Sequence, residues 1–356
     1  MFQERTLTIQ NTLAEGTAAL VVSEPNRFYL TGFHSSAGSV VITKEKAYFL
    51  IDFRYVEKAK SVVKNCEVLL SNRSEGELSD LLARHNVNKL YVETGFMSIG
   101  SKKAYEAALP DVEILSDDTL DDLLEEMRAV KSESELSLIK QAQQITDETF
   151  TYILNHIEPG RSEIDVMLDM EFYMRRLGSE GVSFDFIVVS GKNSSLPHGV
   201  PTDKLIEVGD FVTMDFGAVV GGYRSDMTRT VAVGCVSAEQ RKVYDTVLSA
   251  QTAAIEAVKP GVVCKEIDKV ARDLIHGAGY EGCFGHGLGH SVGIEIHENP
   301  NFNTKCDTVL KAGTVMTVEP GIYLENKFGV RIEDMVYVTG EGCMDITQSP
   351  KELIIL

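Results

Sequence analysis

The chain has 356 residues, which is more than one ordinary hydrophobic core organises, so two domains are expected. Its hydrophobic content of 44% and charged content of 24% are typical of a globular protein, and its net charge of −19 disfavours nucleic-acid binding, which requires concentrated Lys and Arg. It has no membrane-length apolar run, no signal-peptide pattern and no C-x-x-C pair among its six cysteines, so we predict a cytoplasmic protein with reduced thiols and no membrane partner.

The first part of the chain alternates short β-rich runs with helical stretches. AALVVSEPNRFYLTGF predicts a strand and a turn, SVVITKEKAYFLID predicts a hairpin-like pair of strands, and GELSDLLARHN predicts a helix that leads into KLYVE. This alternation predicts an α/β domain over residues 1–125. Ser132 and Glu135 then have the spacing of a capping box, which predicts a long helix from about Glu133 and a domain boundary between about 123 and 132.

The second domain, residues 126–356, contains an internal repeat. HIEPGRSEIDVMLDMEFYMRRLG (156–178) is similar to AVKPGVVCKEIDKVARDLIHGAG (257–279), because each has Pro-Gly, then Ile-Asp, then a helix that ends at glycine. Each follows a predicted helix, over roughly 133–156 and 238–258, and precedes β-rich sequence. Two helix–helix–sheet units predict a duplicated domain with a pseudo-twofold axis, and a ligand site is expected between its halves.

Two aspartates share one face of a predicted hairpin in DFVTMDFGAVVGGYRSDMTRTVAVG. If Gly221 and Gly222 form the turn, Asp215 pairs with Thr228 and Asp226 lies one diagonal step away. If the turn starts one residue earlier, Asp215 faces Asp226 directly. Both registers bring the carboxylates within about 5 to 8 Å, and two such anions repel unless a cation or proton separates them.

Further candidate ligands come from two later strands and a histidine-rich segment. GTVMTVEPGIY places Glu319 at the end of an apolar strand, and GVRIEDMVYV alternates so that Arg331 and Glu333 share a face. HGLGHSVGIEIHE lacks the H-E-x-x-H spacing of a helical zinc pair, and its glycines disfavour a helix. Four carboxylates with one imidazole suit a pair of Mn²⁺, Co²⁺, Fe²⁺ or Zn²⁺ ions, because paired metals need bridging carboxylates.

The order of these motifs resembles the proline-specific metallopeptidases, aminopeptidase P and prolidase, which share the pita-bread fold with methionine aminopeptidase and creatinase. The motifs are PHG (197–199), MDFG (214–217), SDMTRT (225–230), HGLGH (286–290), IHE (296–298), EPGIY (319–323) and GVRIED (329–334). PNRFYLTGF and LIDFRYVEKA are similar to the N-terminal domain of the same branch. The resemblance implies an α/β N-terminal domain followed by an α+β pita-bread (creatinase/aminopeptidase-like) catalytic domain.

Carried across residue by residue, the resemblance implies two divalent metal ions per subunit, with Mn²⁺ expected ahead of Co²⁺, Zn²⁺ or Fe²⁺. The implied metal ligands are Asp215, Asp226, His290, Glu319 and Glu333, with Asp226 and Glu333 bridging the two ions. Creatinase works without metal and departs from this ligand set, so a creatinase is rejected.

The resemblance also implies catalytic and substrate-binding roles around these ligands. Glu319 is expected to shuttle a proton, and His297 to hydrogen-bond the scissile carbonyl oxygen or the tetrahedral intermediate. Arg331 is expected to steady the carboxylates. His198 and His286 are expected to bind the substrate near its proline side.

The implied activity is hydrolysis of Xaa-Pro bonds at the N-terminus of peptides by metal-activated water, in a homodimeric enzyme whose partners are peptides with proline at the second position. We expect an aminopeptidase P, and a prolidase restricted to dipeptides is the alternative. An enzyme of the same fold that cleaves N-terminal methionine is disfavoured by the N-terminal domain. A non-catalytic peptide-binding pita-bread module is disfavoured because every ligand position is occupied by a ligating residue type.

Overall fold

The computed structural model describes residues 2–72 and 76–356. The chain divides into two compact units, Met1–Arg128, the N-terminal unit, and Ala129–Leu356, the C-terminal unit. Within the described ranges, no helix combines the length and apolar character that crossing a membrane requires.

The N-terminal unit is built on one mixed sheet of six strands. The strands are β1 (Thr17–Val21), β2 (Ser39–Thr43), β3 (Ala47–Ile51), β4 (Glu67–Leu70), β5 (Lys89–Val92) and β6 (Glu113–Leu115). The helices are α1 (Phe2–Thr12), α2 (Glu24–Thr31), α3 (Val56–Val62), α4 (Glu77–Arg84), α5 (Ile99–Ala108) and α6 (Thr119–Ala129). The sheet order is β4-β3-β2-β1-β5-β6, antiparallel through β3-β2-β1 and parallel at both edges.

One local prediction in this unit is wrong. The segment after β1 was expected to form a turn, but it forms helix α2. Ser23 caps the helix by accepting a hydrogen bond from the backbone N–H of Asn26, and a proline occupies its first turn, where a missing N–H costs nothing. Gly32 ends the helix in the left-handed conformation. The sequence SEPNRFYLTG therefore contains both signals that delimit a helix.

The C-terminal unit combines four helices with several small antiparallel sheets. The helices are α7 (Glu133–Ile153), α8 (Glu163–Arg176), α9 (Ala238–Ala257) and α10 (Cys264–Gly277), with a 3₁₀-helix at Gly191–Ser195. The strands are β7 (Ile187–Ser190), β8 (Phe211–Phe216), β9 (Val219–Val220), β10 (Tyr223–Arg224), β11 (Met227–Ala232), β12 (Gly289–Ser291), β13 (Glu298–Phe302), β14 (Val315–Val318), β15 (Gly321–Leu324), β16 (Phe328–Arg331), β17 (Asp334–Val338) and β18 (Cys343–Asp345). The predicted capping box is present, because Ser132 and Glu135 satisfy each other's backbone N–H groups at the start of α7.

The internal repeat is visible in backbone pairing as well as in sequence. Helices α8 and α10 both have 14 residues and begin at the same distance after their Pro-Gly pairs. Gly160 N–H donates to the Ile206 carbonyl, and Gly261 N–H donates to the Leu310 carbonyl, each at 2.9 Å. The first repeat then forms the antiparallel pair β8–β11, and the second forms β14–β17. Each repeat is therefore two helices followed by an antiparallel pair of strands.

The β8–β11 hairpin adopts the first of the two predicted registers. Asp215 pairs with Thr228, and Val220 pairs with Tyr223 across a Gly221-Gly222 turn. The two glycines have φ values of 55° and 76°, a backbone region that a two-residue hairpin turn demands and that glycine enters without steric cost. The shifted register, in which Asp215 faces Asp226 directly, is wrong.

Candidate metal centre and catalytic cavity

The strand pairs β8–β11 and β14–β17 bring four acidic residues together. Asp215 lies near the end of β8, and Glu319 directly follows β14. Asp226 directly precedes β11, and Glu333 directly precedes β17. Each repeat thus contributes one acid at the end of the first strand of its pair and one directly before the second strand. His290 joins them from β12, which pairs with β14.

All of the site residues predicted from the sequence line a single cavity of about 890 Å³ in the C-terminal unit. They are His198, Asp215, Asp226, His286, His290, His297, Glu319, Arg331 and Glu333. The structure therefore brings together residues that lie up to 135 positions apart, from 198 to 333 in the sequence. Their individual roles stay predictions.

The tightest cluster is formed by Asp226, His290 and Glu333, whose potential ligand atoms all lie within 4.8 Å of one another. Nε2 of His290 is 3.6 Å from Oδ2 of Asp226 and 3.4 Å from Oε1 of Glu319. Nδ1 of His290 lies 3.1 Å from the carbonyl oxygen of Ser291, which can only accept, so Nδ1 carries the ring proton. Burial, together with the neighbouring His297, lowers the pKa of His290 to about 4. The neutral ring therefore turns its Nε2 lone pair towards carboxylate oxygens.

Burial and the neighbouring acids disfavour the charged form of the acids in this cluster. Burial raises the pKa of Asp226 and of Glu333 well above their ordinary values, and the charges of the neighbouring acids raise both further. Burial also raises the pKa of Glu319 to about 8, with a contribution of the same sign from Asp215 and an opposing one from Arg331. Such a concentration of buried acid is relieved by protons or by cations.

The residues present fit a divalent-metal centre. Oδ1 of Asp215 is buried and has no hydrogen-bond partner among the described residues, while the lone pair of His290 Nε2 faces oxygen atoms that cannot donate when ionised. Carboxylate oxygens with one imidazole and no thiolate are the donor set expected for Mn²⁺, Co²⁺, Fe²⁺ or Zn²⁺ at a non-structural site.

Arg331 connects the acids to a second part of the cavity. Its guanidinium donates to Oδ2 of Asp215 through Nη2 and to Thr228 Oγ1 through Nε at 3.0 Å. The Thr228 hydroxyl in turn donates to Oε2 of Glu333 at 2.7 Å. Burial disfavours the guanidinium charge, but Tyr323 and the acids outweigh burial and raise the pKa of Arg331 above its ordinary value. Arg331 is therefore a permanent cation that fixes two of the acids.

A hydrogen-bonded chain runs from Arg331 through Tyr323 to His286. Arg331 Nη1 donates to the Tyr323 hydroxyl at 2.8 Å, and this hydroxyl lies 3.0 Å from His286 Nε2. Nδ1 of His286 donates to the Gly287 carbonyl at 2.8 Å, so Nε2 accepts from Tyr323. Burial lowers the pKa of His286 to about 4 and raises that of Tyr323 to about 12, so the chain is neutral at His286 and protonated at Tyr323. Both ring nitrogens of His286 are thus engaged by the protein.

Sequence reasoning did not identify Thr228 and Tyr323 as members of the site. A signal for each was present: Thr228 is the residue opposite Asp215 in the register that the structure adopts, and Tyr323 closes the EPGIY motif. Tyr323 reaches Arg331 because β15 pairs with β16 and sets Gly321 opposite Arg331. This strand pairing is a tertiary feature that the motif alone does not reveal.

The remaining wall of the cavity is mixed in character. His297 packs its ring against His290 in a T-shaped contact with ring centroids 4.4 Å apart, and both His297 and His198 are exposed. Apolar side chains form one part of the wall and acidic side chains another. The apolar members include Ile164, Met167, Val182, Phe184, Phe186, Ile187 and Ile296, and the acidic ones outside the metal cluster are Glu171 and Asp185.

Comparison with known proteins places the same two units in a family. Residues 137–340 match the model of metallopeptidase family M24, and residues 12–130 match the creatinase/prolidase N-terminal domain. The chain is 37% identical to an Xaa-Pro dipeptidase of Pyrococcus horikoshii over 95% of this chain and 94% of that protein. Among solved structures, an Xaa-Pro dipeptidase from Bacillus anthracis matches with a TM-score of 0.94 and 42% identity, covering 100% of this chain and 99% of that one.

An X-Pro aminopeptidase from Thermotoga maritima is also similar, with a TM-score of 0.91, 35% identity and coverage of 98% of this chain and 100% of that one. These matches confirm the predicted fold, an α/β N-terminal domain followed by a pita-bread catalytic domain with an internal repeat.

Proposed function

This chain belongs to metallopeptidase family M24 and is a hydrolase, and from that premise we propose that it is an Xaa-Pro dipeptidase that releases proline from dipeptides. Named relatives support this activity better than the aminopeptidase P activity expected from the motifs, because the dipeptidases of Pyrococcus horikoshii and Bacillus anthracis are 37% and 42% identical to this chain, against 35% for the X-Pro aminopeptidase of Thermotoga maritima. The prolidase alternative thus becomes the main proposal.

The observation that carries the proposal is the convergence of a metal-type ligand set and three histidines on one cavity. We infer that Asp215, Asp226, His290, Glu319 and Glu333 would together hold two divalent ions in this cavity. When bound, such ions act as Lewis acids and lower the pKa of water towards neutrality, which peptide hydrolysis requires.

The chain's own groups supply the proton transfer and the positioning. Burial raises the pKa of Glu319 to about 8, close to neutrality, so its carboxylate suits the receipt and return of a proton. His297 is exposed in the cavity wall beside His290 and is proposed to donate to the scissile carbonyl oxygen. Arg331 holds the Asp215 side chain in place by donating to its Oδ2 atom.

His198 and His286 are proposed to bind the substrate on its proline side. His198 is exposed in the wall and is available for a direct hydrogen bond. His286 is engaged by Tyr323 and Gly287, so its contribution is to shape that side of the cavity unless a substrate displaces the Tyr323 hydroxyl. In this proposal His198 contacts the substrate directly, and His286 shapes the wall of the same subsite.

One observation favours aminopeptidase P as the second candidate. A dipeptidase must recognise the free carboxylate of proline, and a cation is the usual partner for a carboxylate. Among the described residues that line the cavity, Arg331 is the sole arginine or lysine, and it already binds Asp215. The proline carboxylate would therefore be received by donors other than arginine or lysine, such as His198, Asn301 and Asn303.

The test is a comparison of kcat/KM for Ala-Pro, Ala-Pro-amide and Ala-Pro-Ala with Mn²⁺-loaded protein. The dipeptidase proposal predicts that Ala-Pro is preferred by about tenfold or more, because the other two lack a carboxylate at that point. Equal or faster turnover of Ala-Pro-Ala would establish the aminopeptidase. Preference for Met-Ala-Ser over all three would overturn proline specificity.

Three further proposals accompany the activity. Manganese as the native metal is tested by elemental analysis of protein purified without added metal. A homodimer is tested by light scattering coupled to gel filtration. A cytoplasmic location is tested by fractionation of the source cells. The divalent-metal requirement itself follows from membership of the family.

A further inference from the structure

We propose that the second helix of each repeat positions one histidine of the cavity. In the first repeat, Glu163 of α8 holds the loop that carries His198. In the second repeat, Asp268 of α10, with Arg272, holds the segment that carries His286. The inference rests on the proposed function only for the substrate-binding role of the two histidines.

Glu163 is fully buried at the start of α8, and every hydrogen bond to its carboxylate in the described residues comes from the loop 190–202. Oε1 accepts from the backbone N–H of Ser190 at 2.6 Å and from its hydroxyl at 2.9 Å. Oε2 accepts from the backbone N–H of Thr202 at 3.0 Å and from its hydroxyl at 2.7 Å. The amide of Asn193 lies 3.2 Å from Oε1 and 3.3 Å from Oε2. One carboxylate thus fastens the beginning, middle and end of the loop.

The fastened loop reaches directly into the cavity. His198 lies four residues before Thr202, and the carbonyl oxygen of Pro197, the residue before it, accepts from Arg331 Nη1 at 3.1 Å. The His198 side chain is exposed, so the loop backbone rather than packing of the ring sets its place. The loop contains the short 3₁₀-helix Gly191–Ser195. The hydrogen bonds to Glu163 therefore help to hold a segment that has little regular secondary structure.

Asp268 is the fifth residue of α10, whereas Glu163 is the first residue of α8, and both side chains are fully buried. The Asp268 carboxylate accepts from Arg272 Nε at 2.8 Å and Nη2 at 2.9 Å, and from the backbone N–H of Leu288 at 3.1 Å. The oriented guanidinium then donates to the carbonyl oxygens of Phe284 and His286, each at 2.9 Å. The backbone on both sides of the His286 ring is therefore fixed by α10.

The two anchors do not contact the metal-type acids, and each one touches a different loop. A buried carboxylate that loses its charge or its acceptors leaves donors unsatisfied, and displacement of a positioned group by about 1 Å lowers rates by about a hundredfold. Loss of an anchor should therefore lower turnover through its own histidine and leave metal binding intact.

The kinetic test is a set of double-mutant cycles on Ala-Pro hydrolysis. Glu163→Gln and Asp268→Asn should each lower kcat/KM by roughly 10- to 100-fold. Combined with its own histidine variant, His198→Ala or His286→Ala respectively, each should add less than about a twofold further loss, because both changes act through one group. Combined with the histidine of the other repeat, the losses should multiply. Each anchor is therefore the matched control for the other.

Metal content by elemental analysis should equal that of the unmodified protein in both anchor variants. Thr202→Val provides a milder variant, because it removes one hydroxyl donor to Glu163 and keeps the shape of the side chain. It should show a smaller loss with the same dependence on His198. If the losses from an anchor variant and its own histidine variant multiply, as they should for the histidine of the other repeat, the inference is overturned.

Amide hydrogen exchange tests the anchoring without relying on activity. Glu163→Gln and Thr202→Val should speed exchange in residues 190–202 and leave residues 284–288 unchanged, and Asp268→Asn should do the reverse. Unchanged exchange in an anchor's own segment would overturn the inference while the proposed function stands. If both histidine variants turned over Ala-Pro as fast as the unmodified protein, the proposed substrate-binding roles would instead be rejected.

Discussion

Glu333 and Asp334 are consecutive acids at the start of β17, and their side chains enter opposite environments. Glu333 faces Asp226 and the other cavity acids, and burial and these charges raise its pKa. Asp334 is also fully buried, but it accepts from Arg229 Nη2 and from Gln251 Nε2, each at 2.6 Å, and from Lys351. Burial alone would raise the pKa of Asp334, yet the two cations outweigh it and lower the pKa.

The difference separates a charge-compensated cluster from the proposed metal-binding cluster. Around Asp334 the protein supplies the opposite charges itself, so the buried acid is compensated when the chain folds. Around Glu333 the chain gathers acids with Arg331 as the buried cation, and that imbalance favours added cations. Arg229 links the two regions, because it also donates through Nη1 to the backbone carbonyl of Glu333. The cluster around Asp334 thus helps to hold the backbone that carries Glu333.

The largest effect is expected from Asp226→Asn in the uncompensated cluster. The amide is a poor bridging ligand, so we expect loss of bound metal and a fall in kcat/KM of about 10³-fold or more. The melting temperature of the metal-free protein should not fall, because a repulsive buried charge is removed. Elemental analysis and calorimetry on the same sample check both parts. An active Asp226→Asn protein with normal metal content would show that the bridging assignment is wrong.

The second effect concerns pH and metal together. The pKa of Glu319 rises on folding from 4.5 to about 8, so its contribution to stability is full below pH 4.5 and is lost as pH rises towards 8. Chelator-treated protein should therefore melt at lower temperature near pH 8 than near pH 4.5. Added divalent metal should restore about 4 kcal/mol at about 1,000 times its Kd. Glu319→Gln is the control, and an unchanged slope in that variant would contradict the assignment.

Breaking the compensated cluster should affect stability and spare catalysis. Lys351→Met removes one of the two cations on Asp334 and leaves Arg229 and Gln251 in place. We expect the free energy of unfolding to fall by about 1–3 kcal/mol. Because Lys351 touches no cavity acid, kcat/KM should stay within about threefold of the unmodified value. Denaturant titration and Ala-Pro turnover measure the two, and a large loss of bound metal would contradict the separation of the regions.

The smallest effect is expected at an exposed ion pair that serves as reference for the buried ones. Lys327 Nζ lies 2.8 Å from Glu239 Oε1, and both side chains are more than half exposed, at 58% and 51%. Lys327→Met should change the free energy of unfolding by less than about 1 kcal/mol, because water screens the pair and competes for it. Denaturant titration beside Lys351→Met measures the contrast. A loss as large as that of Lys351→Met would show that burial is not what distinguishes them.

Local signals predicted much of the fold. The Ser132–Glu135 capping box, the Gly221-Gly222 turn and the period-2 strands are written in neighbouring residues, so their structures could be predicted without knowledge of the rest of the chain. Helix α2, where a turn is predicted, also has local signals in the capping residues Ser23 and Gly32. The error there was one of interpretation, since the information was present.

The sequence by itself determined which side chains are available to the site and on which strand face each one lies, because alternation along a strand is a local property. It also marked the repeat that supplies two acids from each half. The tertiary structure alone decided what those side chains meet. The Tyr323–His286 contact, the cations on Asp334 and the anchors on the histidine loops join residues from different segments, 37 positions apart for Tyr323 and His286 and 105 for Arg229 and Asp334. Such contacts form when segments that are distant along the chain pack together, and no spacing within one segment specifies them.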